Sequence, residues 1–502
     1  MARTPDVLDD PTPLDSRDVD VRVRVAWLLR VSRAAGIDGT RVSVTEMAQR
    51  LKAHGIPASA PSVSGWETGR VSPGVGVLEA YEAVLGREPG TLRGAVDVIR
   101  RTYSRDRPRT APTHVDLAGL DRVTERVLGA RTTTGMDWLH FAEAAVAVSP
   151  GLPTRMLRPM LDRLVSELGR SVFTAYVTRY EALALLRCSQ YATMVLDAIR
   201  RYVDEPGTQV VADCLTAVAE RADAACLTLL AGYLTSDDPV RSRGAALGLQ
   251  TFATVGGVPA RAWSRLVEPF VSAVNEHLDD PTRQLQLSVL WGSLPAALRA
   301  DIAPRLARRM APVPTPRPWD VDRHDQELAF CAALADEVCD AADLRPQPLL
   351  ARLLFEGLFD HRNTRNWTSM LLLMASPVRA DLATRLAATT HDHEDAVVRE
   401  ACARLLMGLG HAESTRYATG LLDTGVPDLV APALVALAHA DAPVPHRTLA
   451  GLLTTPEPVD RRALYYAGMT GHRLLDVIAG DREHPLSQAA RWWQGNGTIV
   501  TA

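Results

Sequence analysis

The chain has 502 residues, of which 47% are hydrophobic and 23% charged, and its net charge is −4. This length is too great for one compact core, and the composition is that of a globular protein and excludes a fibrous or wholly disordered chain. Because aromatic residues make up only 5% while alanine and leucine are abundant, and because no run of about 18 apolar residues occurs, the sequence predicts an all-α fold without a membrane span.

Charge is distributed unevenly along the chain. Residues 1–16 carry a net charge of −3, residues 17–110 a net charge of +6 and residues 111–502 a net charge of −7. Nearly all of the positive charge is arginine, since Lys52 is the only lysine. A basic N-terminal module on a mildly acidic body favours a nucleic-acid partner.

The first residues of the chain are acidic and rich in proline, and we interpret residues 1–18 as a disordered leader rather than a targeting segment. The six cysteines contain no Cys-x-x-Cys pair, and we interpret them as reduced thiols, most of them in apolar helices. These features predict a cytoplasmic protein.

Four helices are predicted between residues 19 and 107. The first stops at Gly36, the second begins at Ser43 in a capping box with Glu46, and the third begins at Ser59. The fourth covers the segment GVGVLEAYEAVLG. The spacing of their apolar residues predicts buried positions at Val21, Val25, Leu28, Leu29, Met47, Ala48, Leu51, Val63, Trp66, Val77, Leu78, Tyr81 and Leu85.

This segment resembles the Xre/Cro family of helix-turn-helix regulators. The resemblance covers about 85 residues and is carried by Thr45-Glu46-Met47-Ala48, by Val63-Ser64-x-Trp66-Glu67-x-Gly69, and by Pro73 followed by Leu78 to Leu85. It implies that the third helix enters the major groove of double-stranded DNA. It also implies a homodimer that engages two half-sites.

The framework of the predicted module has a physical explanation. Ala48 is small where the second and third helices cross closely, and Gly69 suits a left-handed exit from the third helix. Glu67 is predicted to pair with Arg30 or Arg33.

The outward face departs from the family pattern. The connection KAHGIPASAP is about five residues longer than the usual turn. The positions expected to read base edges are Ala60, Pro61 and Gly65, which have no side-chain donor. Sequence specificity is therefore expected to depend on DNA shape, on flanking arginines or on dimer geometry.

The remaining polar residues of the module are the candidate DNA contacts. Serine and threonine more often position phosphates than specify bases. Lys52, Arg41 and the stretch RRTYSRDRPR are expected to add phosphate or minor-groove contacts. The candidate DNA-binding residues are Ser43, Lys52, Ser59, Ser62, Ser64, Thr68, Arg70 and Ser72.

After a linker at residues 108–118, residues 119–502 are predicted to form a helical repeat domain. Asp238, Pro239 and Arg241 recur 42 residues later as Asp280, Pro281 and Arg283, and later segments repeat around Arg399, Val430 and Arg461. Such periods predict stacked helix pairs. The pattern resembles HEAT-type repeats, which implies an α-solenoid; an irregular helical bundle is the alternative.

Other polar clusters are interpreted as turns. His391, His393, Glu394 and Asp395 precede a repeat helix, where capping rather than metal binding is expected. Asp237 and Asp238 recur as Asp279 and Asp280, which indicates turn and cap residues rather than acid–base catalysts. Phosphate-loop, nucleophile-elbow and zinc-protease motifs do not occur, so the sequence predicts no catalytic residue, no metal and no cofactor.

The sequence is compatible with three functions. The first is a transcriptional regulator whose repeat domain dimerises or binds a protein partner or small ligand. The second is a DNA-associated scaffold, such as a defence or nucleoid protein, that tolerates many sequences. The third is a HEAT-like DNA glycosylase, which the acidic, aromatic-poor body disfavours. The sequence favours the regulator, without enzyme activity and associated with the nucleoid.

Overall fold

The computed structural model describes residues 7–16, 18–37, 40–103, 117–129, 133–148, 151–255, 260–310, 321–360 and 362–501. Within these ranges the chain consists of α-helices and short 3-10 turns, and the same ranges contain no β-strand. The prediction of an all-α fold is therefore confirmed. No helix of the described part of the chain is long and apolar enough to cross a membrane.

The chain divides into two compact units, and neither is one continuous segment. The terminal unit combines Met1–Arg109, Val172–Val177 and Trp319–Thr501, and the central unit contains Thr110–Ser171 and Thr178–Pro318. The predicted order of modules was linear, whereas the terminal unit groups the N-terminal helices with the C-terminal ones. Most of the predicted linker, residues 108–118, lies outside the described residues.

The N-terminal part of the terminal unit contains the four predicted helices and a fifth. Ser43 and Ser59 cap the second and third helices through their side chains, as predicted. Buried Glu82 accepts hydrogen bonds from the backbone N–H groups of Gly90, Leu92 and Arg93 and so caps the fifth helix. The helices are α1 (Val21–Ala35), α2 (Val44–Ala53), α3 (Ala60–Trp66), α4 (Val75–Val84) and α5 (Thr91–Tyr103).

The predicted apolar stripes face the core of the terminal unit. Val21, Trp66 and Val77 are half-buried, and every other predicted core position of these helices is buried. The burial pattern follows the helical period, as expected for amphipathic helices that pack on one face.

In the central unit, two helices begin at the predicted repeat positions, residues 239 and 281. Asp238 and Asp280 accept hydrogen bonds from the N–H groups of Val240 and Arg283, which confirms that both are cap residues. Short 3-10 turns occur at Ser264–Leu266 and Ala303–Arg305. The helices are α6 (Leu117–Gly129), α7 (Gly135–Ala147), α8 (Thr154–Leu168), α9 (Phe173–Arg187), α10 (Ala192–Asp204), α11 (Ala212–Val218), α12 (Ala224–Leu234), α13 (Pro239–Val255), α14 (Ala260–Trp263), α15 (Val267–Asn275), α16 (Pro281–Ser293) and α17 (Ala296–Ile302). The first five residues of α9 are counted with the terminal unit.

The C-terminal part of the terminal unit consists of helices joined by short connections. A 3-10 turn occurs at Ala412–Ser414. The helices are α18 (Val321–Ala341), α19 (Pro348–Phe359), α20 (Asn363–Ala375), α21 (Arg379–Asp392), α22 (Ala396–Leu409), α23 (Thr415–Leu421), α24 (Pro427–His439), α25 (His446–Leu452), α26 (Val459–Thr470), α27 (Leu474–Gly480) and α28 (Ser487–Asn496). Helix α24 packs against both α22 and α26, and these three carry the predicted repeat positions.

The acidic leader differs from its prediction within the described residues. Leu8 and Asp10 are buried, and the Asp10 carboxylate accepts a hydrogen bond of 2.7 Å from Nε of Arg24 in α1. The predicted disorder is therefore wrong for residues 7–16. Composition suggested a solvated segment, but an arginine of the folded core binds its acidic residue.

Arg24 also binds Glu356 of α19 and joins the N-terminal helices to the C-terminal ones. Two Arg24 nitrogens lie 2.7 and 2.8 Å from the two Glu356 oxygens, and both side chains are almost fully buried. We call Asp10, Arg24, Glu356 and Arg365 the Arg24 cluster. Helix α5 packs on α20 beside it. These contacts explain why both ends of the chain belong to one unit.

The six cysteines all lie in described residues, and none forms a disulfide. Five are buried, whereas Cys188 is exposed. Cys188 follows an apolar segment but lies just beyond the end of α9, and it is not buried.

Candidate nucleic-acid interface

Helix α3 is fixed to its neighbours by a buried carboxylate at its C-terminal end. Glu67 accepts hydrogen bonds from Nε and Nη2 of Arg33 in α1, each 2.7 Å long, and one of 3.1 Å from the hydroxyl of Tyr81 in α4. The predicted pairing of Glu67 with an arginine of α1 is thus realised by Arg33. The contacts hold the orientation of α3 relative to two other helices.

These contacts also perturb the ionisation of Arg33 and Tyr81. Burial by itself would lower the pKa of Arg33, but the hydrogen bonds and charge of Glu67 outweigh it and raise the pKa above its usual value. Burial and the neighbouring Glu67 carboxylate raise the pKa of Tyr81 far above its usual value. Arg33 therefore remains charged and Tyr81 neutral, as the hydrogen-bond pattern requires.

The exit from α3 depends on Gly69. Its φ angle is +72°, and a Cβ atom there would lie 3.3 Å from the carbonyl oxygen of Arg22. The predicted left-handed exit is therefore confirmed. Val63 is buried beneath α3, while half-buried Trp66 contacts Tyr81 edge to face, with ring centroids 6.4 Å apart.

The N-terminal end of α3 presents two of the candidate serines. Ser59 is exposed and Ser62 half-buried, and their hydroxyl oxygens are 2.8 Å apart. Pro61 is exposed between them, Ala60 is half-buried and Gly65 is buried. The expected base-reading positions therefore offer a proline ring and no side-chain donor, and the hydroxyl groups come from the neighbouring Ser59 and Ser62.

The C-terminal end of α3 brings together three more candidates, which we call the Arg70 cluster. Arg70 donates from Nε to the Thr68 hydroxyl at 3.0 Å and from Nη2 to the Ser64 hydroxyl at 3.2 Å. Thr68 in turn donates to the carbonyl oxygen of Ser64 at 2.7 Å. Because Arg70 is exposed, these bonds position its charge at the surface beside α3.

Ser72 lies next to this cluster and is held by α5. Its hydroxyl accepts a hydrogen bond of 2.9 Å from Arg100, which also donates to the carbonyl oxygen of Pro73 at 2.7 Å. Arg100 begins the basic stretch RRTYSRDRPR. Residues 104–109 of that stretch lie outside the described residues.

The two remaining candidates lie on α2. Ser43 is exposed at its N-terminus, where its hydroxyl accepts a hydrogen bond of 3.1 Å from the Glu46 N–H group. Lys52 is exposed in its last turn, and within the described residues its ammonium group forms no hydrogen bond or ion pair. Among the described residues, no hydrogen bond links Lys52 to another candidate. Their contact with DNA stays a prediction.

The predicted turn cluster near α22 was the strongest alternative site. Asp395 caps α22 through the Val397 N–H group, and His393 Nδ1 accepts a hydrogen bond of 3.0 Å from the Asp395 N–H group. The interpretation of this segment as a capped turn is confirmed. Among the described residues, no group of three or more His, Cys, Asp and Glu side chains is placed to hold a metal ion.

Comparison with known proteins adds no assignment. No protein-family model matches the chain, and no curated protein matches it. The crystal structure of an engineered protein, a structural genomics target, matches 75% of this chain and 98% of its own chain at 15% identity, with a TM-score of 0.22. A score this low supports no statement about fold or function.

Proposed function

We propose that this chain is a DNA-binding transcriptional regulator of the Xre/Cro type. In this proposal α2 and α3 form the helix-turn-helix, and α3 lies in the major groove of double-stranded DNA. The protein would act in the cytoplasm, associated with the nucleoid.

The observation that carries the proposal is the fixed orientation of α3. Glu67, Arg33 and Tyr81 hold its C-terminal end, and Val63 is buried below it. Ser59, Ser62 and the Arg70 cluster lie in α3 or directly beside its two ends, and all are polar and at least partly exposed. A short helix that is anchored to the core and carries exposed hydroxyl groups and an arginine at its ends suits a groove-binding role.

The predicted helical repeat domain, residues 119–502, has a separate proposed role. We propose that its repeats are of the HEAT type and that they mediate homodimerisation or the binding of a protein partner or small ligand. A dimer would let two modules engage two half-sites and double the buried surface. The stacking of α24 between α22 and α26 is compatible with such a repeat.

A DNA-associated scaffold with little sequence preference is the second candidate. The observation that favours it is the lack of side-chain donors at Ala60, Pro61 and Gly65. Hydroxyl groups and one arginine fix a protein on the phosphate backbone but discriminate poorly between bases. Affinity for selected genomic sequences compared with random duplex separates the two candidates.

The test uses two variants of the full chain. Ser62→Glu places a carboxylate on the outward face of α3 at the third helical position, where it completes a capping box with Ser59. Folding should therefore be retained while repulsion from phosphates weakens DNA binding. Arg70→Gln should weaken binding and lower its salt dependence by about one ion. Arg482→Gln, an exposed arginine elsewhere in the terminal unit, is the matched control.

The readout is fluorescence anisotropy of a labelled duplex at several salt concentrations. The proposal requires salt-dependent binding by the wild-type chain and by Arg482→Gln, and at least a several-fold loss in Ser62→Glu. Wild-type affinity in Ser62→Glu, with an unchanged circular dichroism spectrum, would contradict it. Deleting residues 1–107 is a poorer test, because it removes Arg24 and leaves Glu356 buried without that partner.

A further inference from the structure

Helix α3 carries no side chain at Gly65, one of the three positions expected to read base edges. A Cβ atom at Gly65 would lie 3.4 Å from Cγ2 and 3.8 Å from Cβ of Val71, which lies beyond the end of the helix. Apart from the backbone of α3 and the chain neighbours of Gly65, no other heavy atom of the described residues lies within 4 Å of that point. The side chain of Val71 therefore covers the place where a side chain of residue 65 would begin.

Backbone geometry fixes the position of Val71. Its N–H group donates a hydrogen bond of 3.1 Å to the carbonyl oxygen of Gly65, which holds the segment after the helix against α3. The chain turns back at Gly69, whose φ angle of +72° lies in the left-handed region. Because neither feature uses the side chain of Val71, a substitution there changes the surface and leaves the course of the chain intact.

The surface that Val71 forms is apolar and accessible. Val71 is 53% exposed, although its side chain lies against α3. Arg70, the residue before it, is also exposed, and its guanidinium group donates a hydrogen bond of 3.2 Å to the hydroxyl of Ser64, which precedes Gly65. An apolar group and a positive charge therefore lie next to each other beside α3. The charge suits a phosphate, and the valine suits an apolar group close to that phosphate.

Thymine offers such an apolar group in double-stranded DNA. In the major groove thymine is the only base that presents a methyl group, at its C5 atom, and apolar side chains recognise this group by direct contact. A contact of this kind needs no hydrogen-bond donor. Ala60, Pro61 and Gly65 have no side-chain donor, which excludes bidentate recognition of adenine or guanine at these positions but leaves recognition of thymine available.

We propose that Val71 is a specificity-determining residue that contacts the 5-methyl group of a thymine in the bound duplex. This inference rests on the proposed DNA-binding function, in which α3 lies in the major groove. It names one feature of the target sequence, a T·A base pair that faces the position of Gly65. The side chain that α3 lacks at this position is supplied by a residue beyond its end.

The experiment compares two labelled duplexes of equal length. One alternates deoxyadenosine and thymidine, and the other carries deoxyuridine in place of every thymidine, which deletes only the 5-methyl groups. Wild-type full-length chain should bind the thymine duplex about fourfold more tightly, the contribution of one buried methyl group. Val71→Ala should bind both duplexes equally, whereas Val71→Ile should keep the preference. Val477→Ala, at an exposed valine of α27 in the same unit, is the matched control and should also keep it.

The affinities come from fluorescence anisotropy, and circular dichroism checks that each variant is folded. If the wild-type chain binds neither duplex, the proposed function fails and this inference fails with it. If the wild-type chain binds both duplexes equally, only this inference is overturned. A thymine preference that persists in Val71→Ala would come from duplex shape or from another residue, and would overturn it too. An equal loss of affinity for both duplexes in Val71→Ala, with the preference kept, would likewise refute the thymine contact.

Discussion

The substitution Glu356→Gln in the Arg24 cluster should strongly destabilise the terminal unit. The Glu356 carboxylate is buried and accepts five hydrogen bonds from four side chains: Arg24, Arg352, Arg365 and Ser369. Glutamine removes the negative charge and turns an N–H group toward guanidinium donors. Breaking a buried ion pair by removing one partner costs about 3–5 kcal/mol, and we expect a loss of that size in the free energy of unfolding.

A double-mutant cycle separates the ion pair from the other contacts of Glu356. Arg24→Met removes the partner charge, and the double variant removes both. Because the two charges are in direct contact, the loss in the double variant should be smaller than the sum of the single losses by about 1–3 kcal/mol. Glu483→Gln, an exposed carboxylate of the same unit, is the control and should stay within about 0.5 kcal/mol of the wild type.

Equilibrium unfolding in urea, followed by circular dichroism, provides the free energies. The reasoning would be refuted by a loss of less than about 1 kcal/mol in Glu356→Gln, or by single losses that simply add. Either result would mean that the buried charges of the cluster do not depend on one another.

The same cluster predicts how stability depends on pH. Burial by itself would raise the pKa of Glu356 and of Asp10, but hydrogen bonds and the charge of Arg24 outweigh it and lower both below their ordinary values of 4.5 and 3.8. The unfolded chain therefore binds protons that the folded chain does not. This stabilisation is fully present above those ordinary values and is lost as the pH falls through the lowered folded-state pKa. The decline should be shallower in Glu356→Gln.

Two further predictions concern a tight helix contact at Gly468 and the accessibility of the cysteines. A Cβ atom at Gly468 in α26 would lie 2.0 Å from Cδ2 of buried Trp493, so Gly468→Ala should lower the free energy of unfolding by about 1–3 kcal/mol. Gly480→Ala is the control and should not lower it, because nothing lies within 4 Å of a Cβ atom there. Equal unfolding curves for the two variants would contradict the packing argument. Of the six cysteines only Cys188 is exposed, and burial raises the pKa of the Cys226 and Cys402 thiols to about 12. A thiol reagent should therefore modify one cysteine rapidly in the native chain, and Cys188→Ser should abolish this rapid labelling. Rapid labelling that persists in Cys188→Ser would disprove the assignment.

Local features of the N-terminal helices were predictable because each depends on residues near one another in the chain. Ser43 and Ser59 cap helices whose first turns they immediately precede. Gly69 follows α3 in the left-handed conformation that residues with side chains rarely adopt. The pairing of Glu67 with an arginine of α1 followed from the resemblance of the surrounding motif. In each case sequence distance is short or the motif fixes the geometry.

Local sequence patterns could not predict which segments of the chain form the terminal unit. Arg24 is one of several arginines in α1, and its partner Glu356 is 332 residues away. Nothing in the period of α1 distinguishes Arg24 from a solvated charge. Asp10 is likewise buried through its contacts with Arg24 and with Arg352, although the leader around it has the composition of a disordered segment.

The joining of the two chain ends also has a consequence for biosynthesis. Helices α1 to α5 leave the ribosome early, but Glu356, the second carboxylate that pairs with Arg24 besides Asp10, is made 332 residues later. At a synthesis rate of about 5–20 residues per second, this delay is roughly 15–65 seconds. During that time Arg24 and the face of α5 that packs on α20 have no partner from the C-terminal part of the chain. The pairing of Arg24 with Glu356 and the packing of α5 on α20 therefore form only after α20 (Asn363–Ala375) has been made.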